Sequence, residues 1–149
     1  MCLILQSSDP RTEASTTSHD IICYKVVIRF NNKHPFRKNR FGKRCGYDFR
    51  GTYQADYIYE RHNVEPRFSE TIYDNMVYHG FHSFMRLDDV LREYKSWIIV
   101  FGSLEAMPCI MECLIPAGTP YYVGNTDEGR RCYCSKEIIF NQEIKFKPV

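Results

Sequence analysis

Two short stretches of the sequence hold residue types that are suited to chemistry. The first, Tyr78-His-Gly-Phe-His-Ser-Phe84, sets His82 and Ser83 directly after a glycine turn. The second runs from Glu112 to Tyr122 and puts a carboxylate on an apolar run that stops at a Pro-Ala-Gly-Thr turn. Serine, cysteine and histidine are the residues of nucleophilic catalysis, and a carboxylate can act as an acid or a base. The structural alternative is a packed glycine turn and a solvated glutamate.

Sequence signatures for specific catalytic classes are missing. The chain has no Gly-x-Ser-x-Gly elbow, no phosphate-binding Walker loop and no dinucleotide fingerprint. Five histidines and seven cysteines are present, so a cysteine–histidine pair would have to be assembled by the fold.

A basic, aromatic segment from 31 to 51 is the second candidate for ligand binding. It holds seven lysines and arginines against one acid, with aromatic residues between the cations. Cations hold phosphates and aromatic faces stack on bases, so this mixture suits nucleic acid or a nucleotide. The structural alternative is a solvated loop whose aromatics anchor it to the core. The candidate ligand-binding cations are Arg37, Arg40, Lys43 and Arg44.

The ligand spacing for a structural zinc site fails, and we predict no metal site. Cys109 and Cys113 lie in a predicted strand, where a rise of about 3.3 Å per residue separates them by roughly 13 Å. Cys132 and Cys134 have one residue between them, whereas zinc pairs usually have two to four.

The elements that must position these residues follow from periodicity. Ile21 to Phe30 is dense in β-branched residues and predicts the first strand. Leu87, Val90, Leu91 and Tyr94 form one apolar helical stripe, so 87–94 is predicted as a helix. Further strands are predicted at 97–101, 109–115, 120–123 and 136–146. This order predicts an α+β fold with a mixed or antiparallel sheet and one or a few helices.

Length and composition predict one domain. The chain has 149 residues, of which 44% are apolar, enough for one core. We expect a flexible N-terminal arm at 1–19, because 6–20 is polar, and a single domain at 20–149. No apolar run approaches the roughly 18 residues of a membrane span. The odd cysteine count and the apolar setting of several cysteines favour free thiols in a reducing cytoplasm.

The two stretches together resemble the toxin-type mono-ADP-ribosyltransferases. Members of that family carry an arginine on the first core strand, then a Gly-Phe-x-Ser-Thr-Ser segment, then a catalytic glutamate before a Pro-Arg-Gly-Thr turn. Gly80-Phe-His-Ser83 matches the start of the middle motif, and 112–119 matches the last. The resemblance implies an ADP-ribosyltransferase-like fold in which Ser83 and Glu112 face one cleft, with NAD or an ADP-ribose-like molecule as ligand.

Several positions depart from that family. Ile110 stands two before the glutamate, Phe84 and Met85 follow Ser83, and Tyr24-Lys25 stands where Tyr-Arg is expected. These departures favour a non-catalytic relative. By the resemblance, Ser83 and Glu112 are the candidate catalytic residues, and Tyr24, Lys25, Gly80 and His82 are candidate ligand contacts.

The Ile-Pro-x-Gly-Thr-x-Tyr-Tyr segment at 115–122 and Ser135-Lys136 are also similar to small uncharacterised domains of phages and bacteria. That similarity implies no established activity, only an origin in a phage or mobile element, and for a phage product the expected location is the host cytoplasm. The leading hypothesis is a non-catalytic binding domain for a nucleotide-type ligand or a host protein. The alternatives are a ligand-free inhibitor of phage type and an active mono-ADP-ribosyltransferase. Nucleic acid ranks last, because no DNA- or RNA-binding signature is present.

Overall fold

A computed structural model describes residues 3–5, 14–30, 52–53, 61–63, 68, 72–73, 75–101 and 106–145. These residues form eleven strands and one α-helix. The helix is α1 (Leu87–Phe101). The strands are β1 (Leu3–Ile4), β2 (Ile21–Phe30), β3 (Thr52–Tyr53), β4 (Arg61–Asn63), β5 (Ile72–Tyr73), β6 (Met76–Val77), β7 (Phe81–Phe84), β8 (Ala106–Ile115), β9 (Tyr121–Asn125), β10 (Arg131–Ser135) and β11 (Glu137–Ile144).

The strands join in one sheet with the order β4-β11-β8-β2-β7-β10-β9-β1-β6-β5, and β3 pairs beside β2. Among the described pairs, β2–β3 is parallel and the others are antiparallel. The longest ladder joins β2 to β8 over ten residue pairs. The described residues therefore form a mostly antiparallel sheet with one helix, which is compatible with the predicted α+β class.

The two faces of the central strands carry two separate apolar clusters. One cluster includes Val26, Phe84 and Ile110, and α1 packs on it through Val90. The other includes Cys23, Met111 and Cys113. Successive side chains of a strand alternate between faces, so β2 and β8 each feed both clusters. We call these the helix face and the opposite face.

The helix is longer than its stripe predicted. The segment 97–101 was predicted as a strand because it is apolar and β-branched, but it continues α1 to Phe101. That prediction is wrong because a short apolar run cannot be distinguished from a helix end by pattern alone. Ile99 is 85% exposed, so packing does not account for the apolar side chain at this position.

The predicted flexible arm needs correction where the structure describes it. Leu3–Ile4 forms β1 and pairs with both β6 and β9, and Leu3 and Leu5 lie in the core. Ser15 also bridges to Tyr121. The apolar start of the chain is buried because it fills a gap between two strands, which a polar run at 6–20 does not reveal.

Candidate functional site

Three adjacent strands bring together the segments that the resemblance singled out. The order β7-β2-β8 places the first strand between the glycine–serine segment and the glutamate strand. Tyr24 of β2 lies directly opposite Phe84 on one side and Glu112 on the other. Directly opposed residues share a face, so Tyr24, Phe84 and Glu112 form one row on the helix face.

Ser83 lies on the opposite face. It pairs with Tyr133, which packs against the cluster of Cys23 and Met111. It is fully buried, and its hydroxyl has no hydrogen-bond partner. The expected meeting of Ser83 and Glu112 in one cleft therefore does not occur. Ser83 and Phe84 are consecutive residues of a strand, so their side chains point to opposite faces. Phe84 therefore lies in the Glu112 row and Ser83 does not.

Lys25 also belongs to the opposite face. Its side chain is 2% exposed, and its ammonium donates a hydrogen bond of 2.9 Å to the carbonyl oxygen of His82. A buried ammonium is stabilised by such acceptors, since burial without them is costly. This contact ties β2 to β7. It does not present the cation to a ligand on the helix face.

The fold does assemble a cysteine–histidine pair, at His82 and Cys134. The two residues are directly opposed on β7 and β10, and Sγ of Cys134 lies 4.0 Å from Nδ1 of His82. Nε2 of His82 donates to the carbonyl oxygen of Val77 at 3.1 Å, and the Cys134 thiol donates to the carbonyl oxygen of His79 at 3.1 Å. Nucleophile, base and orienting group are therefore neighbours, as in a catalytic triad.

The electrostatics of this pair argue against nucleophilic catalysis. Burial lowers the pKa of His82 to about 3, and the nearby Lys25 charge adds to the effect. The carbonyl oxygens of Val77 and Gly80 oppose the shift but do not overcome it. An imidazole with that pKa is a poor acceptor for a thiol proton near pH 7. His82 and Cys134 are thus a buried structural network, and His82 is not placed to meet a ligand.

Gly80 is required by packing. Its φ is +127°, a conformation that residues with a side chain rarely adopt. A methyl group there would lie 2.6 Å from Sγ of Cys134 and 3.1 Å from the Ser135 carbonyl oxygen. The glycine permits β7 to approach β10 closely. Gly80, a candidate ligand contact, therefore lies inside the core.

Of the two candidate catalytic residues, Glu112 is the one whose side chain is partly exposed to solvent. It is half-buried, and one oxygen, Oε2, accepts hydrogen bonds from Asn141 at 2.9 Å and Gln142 at 2.8 Å. A bulge between Phe140 and Gln142 makes this possible, because it sets two consecutive amides beside one carboxylate. Within the described ranges no lysine or arginine pairs with Glu112. The carboxylate is held in position by neutral groups and keeps its second oxygen for another donor.

An apolar row lies next to Glu112 on the same face. Ile22, Leu114 and Ile139 are directly opposed across β2, β8 and β11. Leu114 is two residues from Glu112, so both point the same way. Ile22 is 55% exposed, and Leu114 and Ile139 are half-buried. We call Glu112 and this row the Glu112 surface.

Further carboxylates border the Glu112 surface. Glu137 accepts hydrogen bonds from Asn63 at 3.0 Å and Thr119 at 2.9 Å. Asp20, just before β2, accepts one from the Ala117 backbone amide at 2.9 Å. By register, Arg61 of β4 lies directly opposite Ile139 at the outer end of the same row. The surface is thus apolar at its centre and polar at its edge, an arrangement typical of interaction sites.

The predicted cations Arg37, Arg40, Lys43 and Arg44 lie outside the described residues. Where side chains are described, no three histidine, cysteine or acidic residues cluster closely enough to bind a metal ion. Within the same ranges, no helix combines the length and apolar character needed to cross a bilayer.

Sequence reasoning missed the apolar row and the two amides. Alternation in 110–115 does place Glu112 and Leu114 on one face, but nothing local shows that the face is uncovered. The bulge that brings Asn141 and Gln142 to Glu112 leaves no mark in the sequence, because no glycine or proline stands there.

Comparison with known proteins adds nothing to this geometry: no protein-family model, curated protein or solved structure matches the chain. What the site can do must follow from its own residues.

Proposed function

We propose that this chain is a non-catalytic binding protein that holds a segment of a partner protein on the Glu112 surface. The observation that carries the proposal is the half-buried Glu112 carboxylate, held by two neutral amides beside the exposed Ile22. Exposed apolar surface with a polar edge is characteristic of protein–protein contact sites. If the chain is phage-encoded, the partner is a host protein.

The chemistry of the surface selects the partner segment. A carboxylate that is held by neutral amides favours a lysine or arginine from the partner, and arginine can bond a carboxylate with two parallel hydrogen bonds. Tyr24 stands next to Glu112 and offers an aromatic surface to the same cation. The apolar row favours aliphatic or aromatic neighbours of that cation. We therefore expect a basic residue flanked by apolar ones.

Selection from a random peptide library tests this proposal directly. Peptides that bind the wild-type chain should share a lysine or arginine next to apolar residues. Glu112→Gln should weaken their binding at least about tenfold, because a charged interface partner is lost. Asp127→Asn, which changes an exposed acid in the β9–β10 turn, is the matched control and should leave binding unchanged. Selected peptides without a cation, or equal binding by Glu112→Gln, would contradict the proposal.

A second candidate is a nucleotide-type ligand such as NAD or ADP-ribose. It is favoured by the row of Tyr24, Phe84 and Glu112 on the three strands that the transferase resemblance links. Here Tyr24 would stack on a ring and Glu112 would accept a ribose hydroxyl. Titration calorimetry with NAD and ADP-ribose should then give heat that Tyr24→Ala removes. The absence of heat at millimolar ligand eliminates this candidate.

An active mono-ADP-ribosyltransferase would need one further property: Glu112 would have to act on the ribose of NAD. Labelled NAD incubated with cell lysate should then label a protein, and Glu112→Gln should abolish the label. Label that persists in Glu112→Gln would show that this carboxylate performs no transfer.

A further inference from the structure

Two buried cysteines face each other at the centre of the longest ladder. Cys23 of β2 and Cys113 of β8 are directly opposed, and both are fully buried on the opposite face. Opposed residues of antiparallel strands have Cα atoms about 4.5 to 5.5 Å apart. Disulfides form with Cα separations of about 4.4 to 6.8 Å. The expected Cα separation of this pair therefore lies within the range that disulfides span.

The other described cysteines lack such a partner. Cys109 lies opposite Val27, and Cys134 lies opposite His82. Cys132 and Cys134 are two apart on one strand, roughly 6.6 Å, with parallel side chains that cannot bring their Cβ atoms within the needed 3.5 to 4.5 Å. Among these five thiols, one pairing is compatible with the folded sheet.

The thiols are free in the structure, and the folded state protects them. Burial, with a side-chain hydrogen bond to Cys23, raises the pKa of the Cys113 thiol well above its ordinary value. A protonated, buried thiol reacts slowly, because the thiolate is the nucleophile. A bond between these residues would therefore form while the chain folds, before β2 and β8 exclude solvent.

We propose that Cys23 and Cys113 are a disulfide site, closed when the chain folds in the presence of a small disulfide such as oxidised glutathione. The thiolate of one cysteine attacks oxidised glutathione, forming a mixed disulfide and releasing one glutathione thiolate. The second cysteine, as thiolate, then attacks the protein sulfur of that mixed disulfide and releases the other. The protein loses two hydrogens, and one oxidised glutathione becomes two reduced ones.

The closed bond would connect the two longest strands of the sheet. It would restrict a loop of about ninety residues in the unfolded chain, which favours the folded state. For a chain of this size, we expect the melting temperature to rise by about 5 to 10 °C. The gain should vanish on reduction with a dithiol.

Refolding with mapped disulfides tests the proposal. The full chain is denatured and reduced, refolded in a mixture of reduced and oxidised glutathione, alkylated and digested for mass spectrometry. We expect a linked peptide pair containing Cys23 and Cys113, with a native far-UV spectrum. Cys113→Ala should lose both the link and the melting shift, and Cys109→Ala should keep both. A folded wild-type chain with free Cys23 and Cys113, or with either linked elsewhere, would overturn the proposal without any variant.

Discussion

The Gly80–Ser83 segment and the Glu112 strand flank the same central strand, but the candidate residues of the first are buried whereas Glu112 is partly exposed to solvent. Every side chain of β7 is buried, and its polar groups bond within the core or find no partner at all. Glu112, on the other flank of β2, is half-open and held by two amides. Residue types that suit catalysis thus indicate a site only when the face they point to is open. The first four predictions below test that difference, from the largest expected effect to the smallest.

Gly80→Ala should be the most destabilising change. The positive φ alone costs on the order of 1 to 3 kcal/mol, and the added methyl group overlaps Sγ of Cys134, so we expect a loss of about 3 kcal/mol or more. Gly118→Ala is the control, because its φ is also positive but nothing lies within 4 Å of the added carbon. It should lose about 1 kcal/mol. Urea unfolding measures both, and equal losses would show that β7 is not tightly packed on β10.

Acid should destabilise the chain through His82. The unfolded histidine takes up a proton near pH 6.5, whereas the folded one does so only near pH 3. The unfolded state therefore binds more protons between these values, and stability is complete above pH 6.5 and falls as the pH drops towards 3. At pH 4.5 the free energy of unfolding should be lower than at pH 7 by an amount on the order of 2 kcal/mol. Urea unfolding across this range should show a steeper pH dependence in the wild type than in His82→Gln, and equal slopes would refute the assignment.

Ser83→Ala should leave stability unchanged or raise it by about 1 kcal/mol. Its buried hydroxyl has no partner, so its removal relieves a desolvation cost. Thr119→Ala is the control, since Thr119 is equally buried but donates to Glu137. It should lose about 1 kcal/mol. A large loss for Ser83→Ala would mean that the serine has a role that the structure does not account for.

Glu112→Gln should have the smallest effect on stability, within about 0.5 kcal/mol. The amide oxygen can still accept from Asn141 and Gln142, and the position is half-exposed. The same variant should lose partner binding, so a stability-neutral and binding-deficient protein is the expected result. Thermal unfolding beside the peptide assay checks this, and a marked drop in melting temperature would assign Glu112 a structural role.

The sequence predicted elements where the pattern was local. The density of β-branched residues identified the ten-residue strand β2, and the spacing of apolar residues identified α1. The prediction failed at 97–101, where helix and strand patterns coincide, and at β1, whose burial depends on strands far away in sequence. Arg131–Ser135 was missed as a strand because its alternation is carried by cysteines and polar residues.

The candidate site was predicted in part. The three matched segments do lie on neighbouring strands, but the residues that meet are Tyr24, Phe84 and Glu112. Short motifs indicate which strands approach each other. Which residue points to which face depends on register, and a shift of one residue exchanges the faces. Lys25 and Ser83 differ from Tyr24 and Phe84 by one position each, and that difference places them on the opposite face.

The bulge in β11 has a consequence for how the chain can change in length. Before it, Ile138 and Phe140 point to the opposite face, and after it Ile144 points to the helix face. Deletion of Asn141 would make Phe140 and Gln142 consecutive, and regular alternation would keep them on different faces and opposite the partners that they already have. Ile144 would stay on the helix face opposite Ile110, and the deletion would cost one of the two hydrogen bonds to Glu112. Loss of this one residue should therefore be tolerated, although it lies within a long strand.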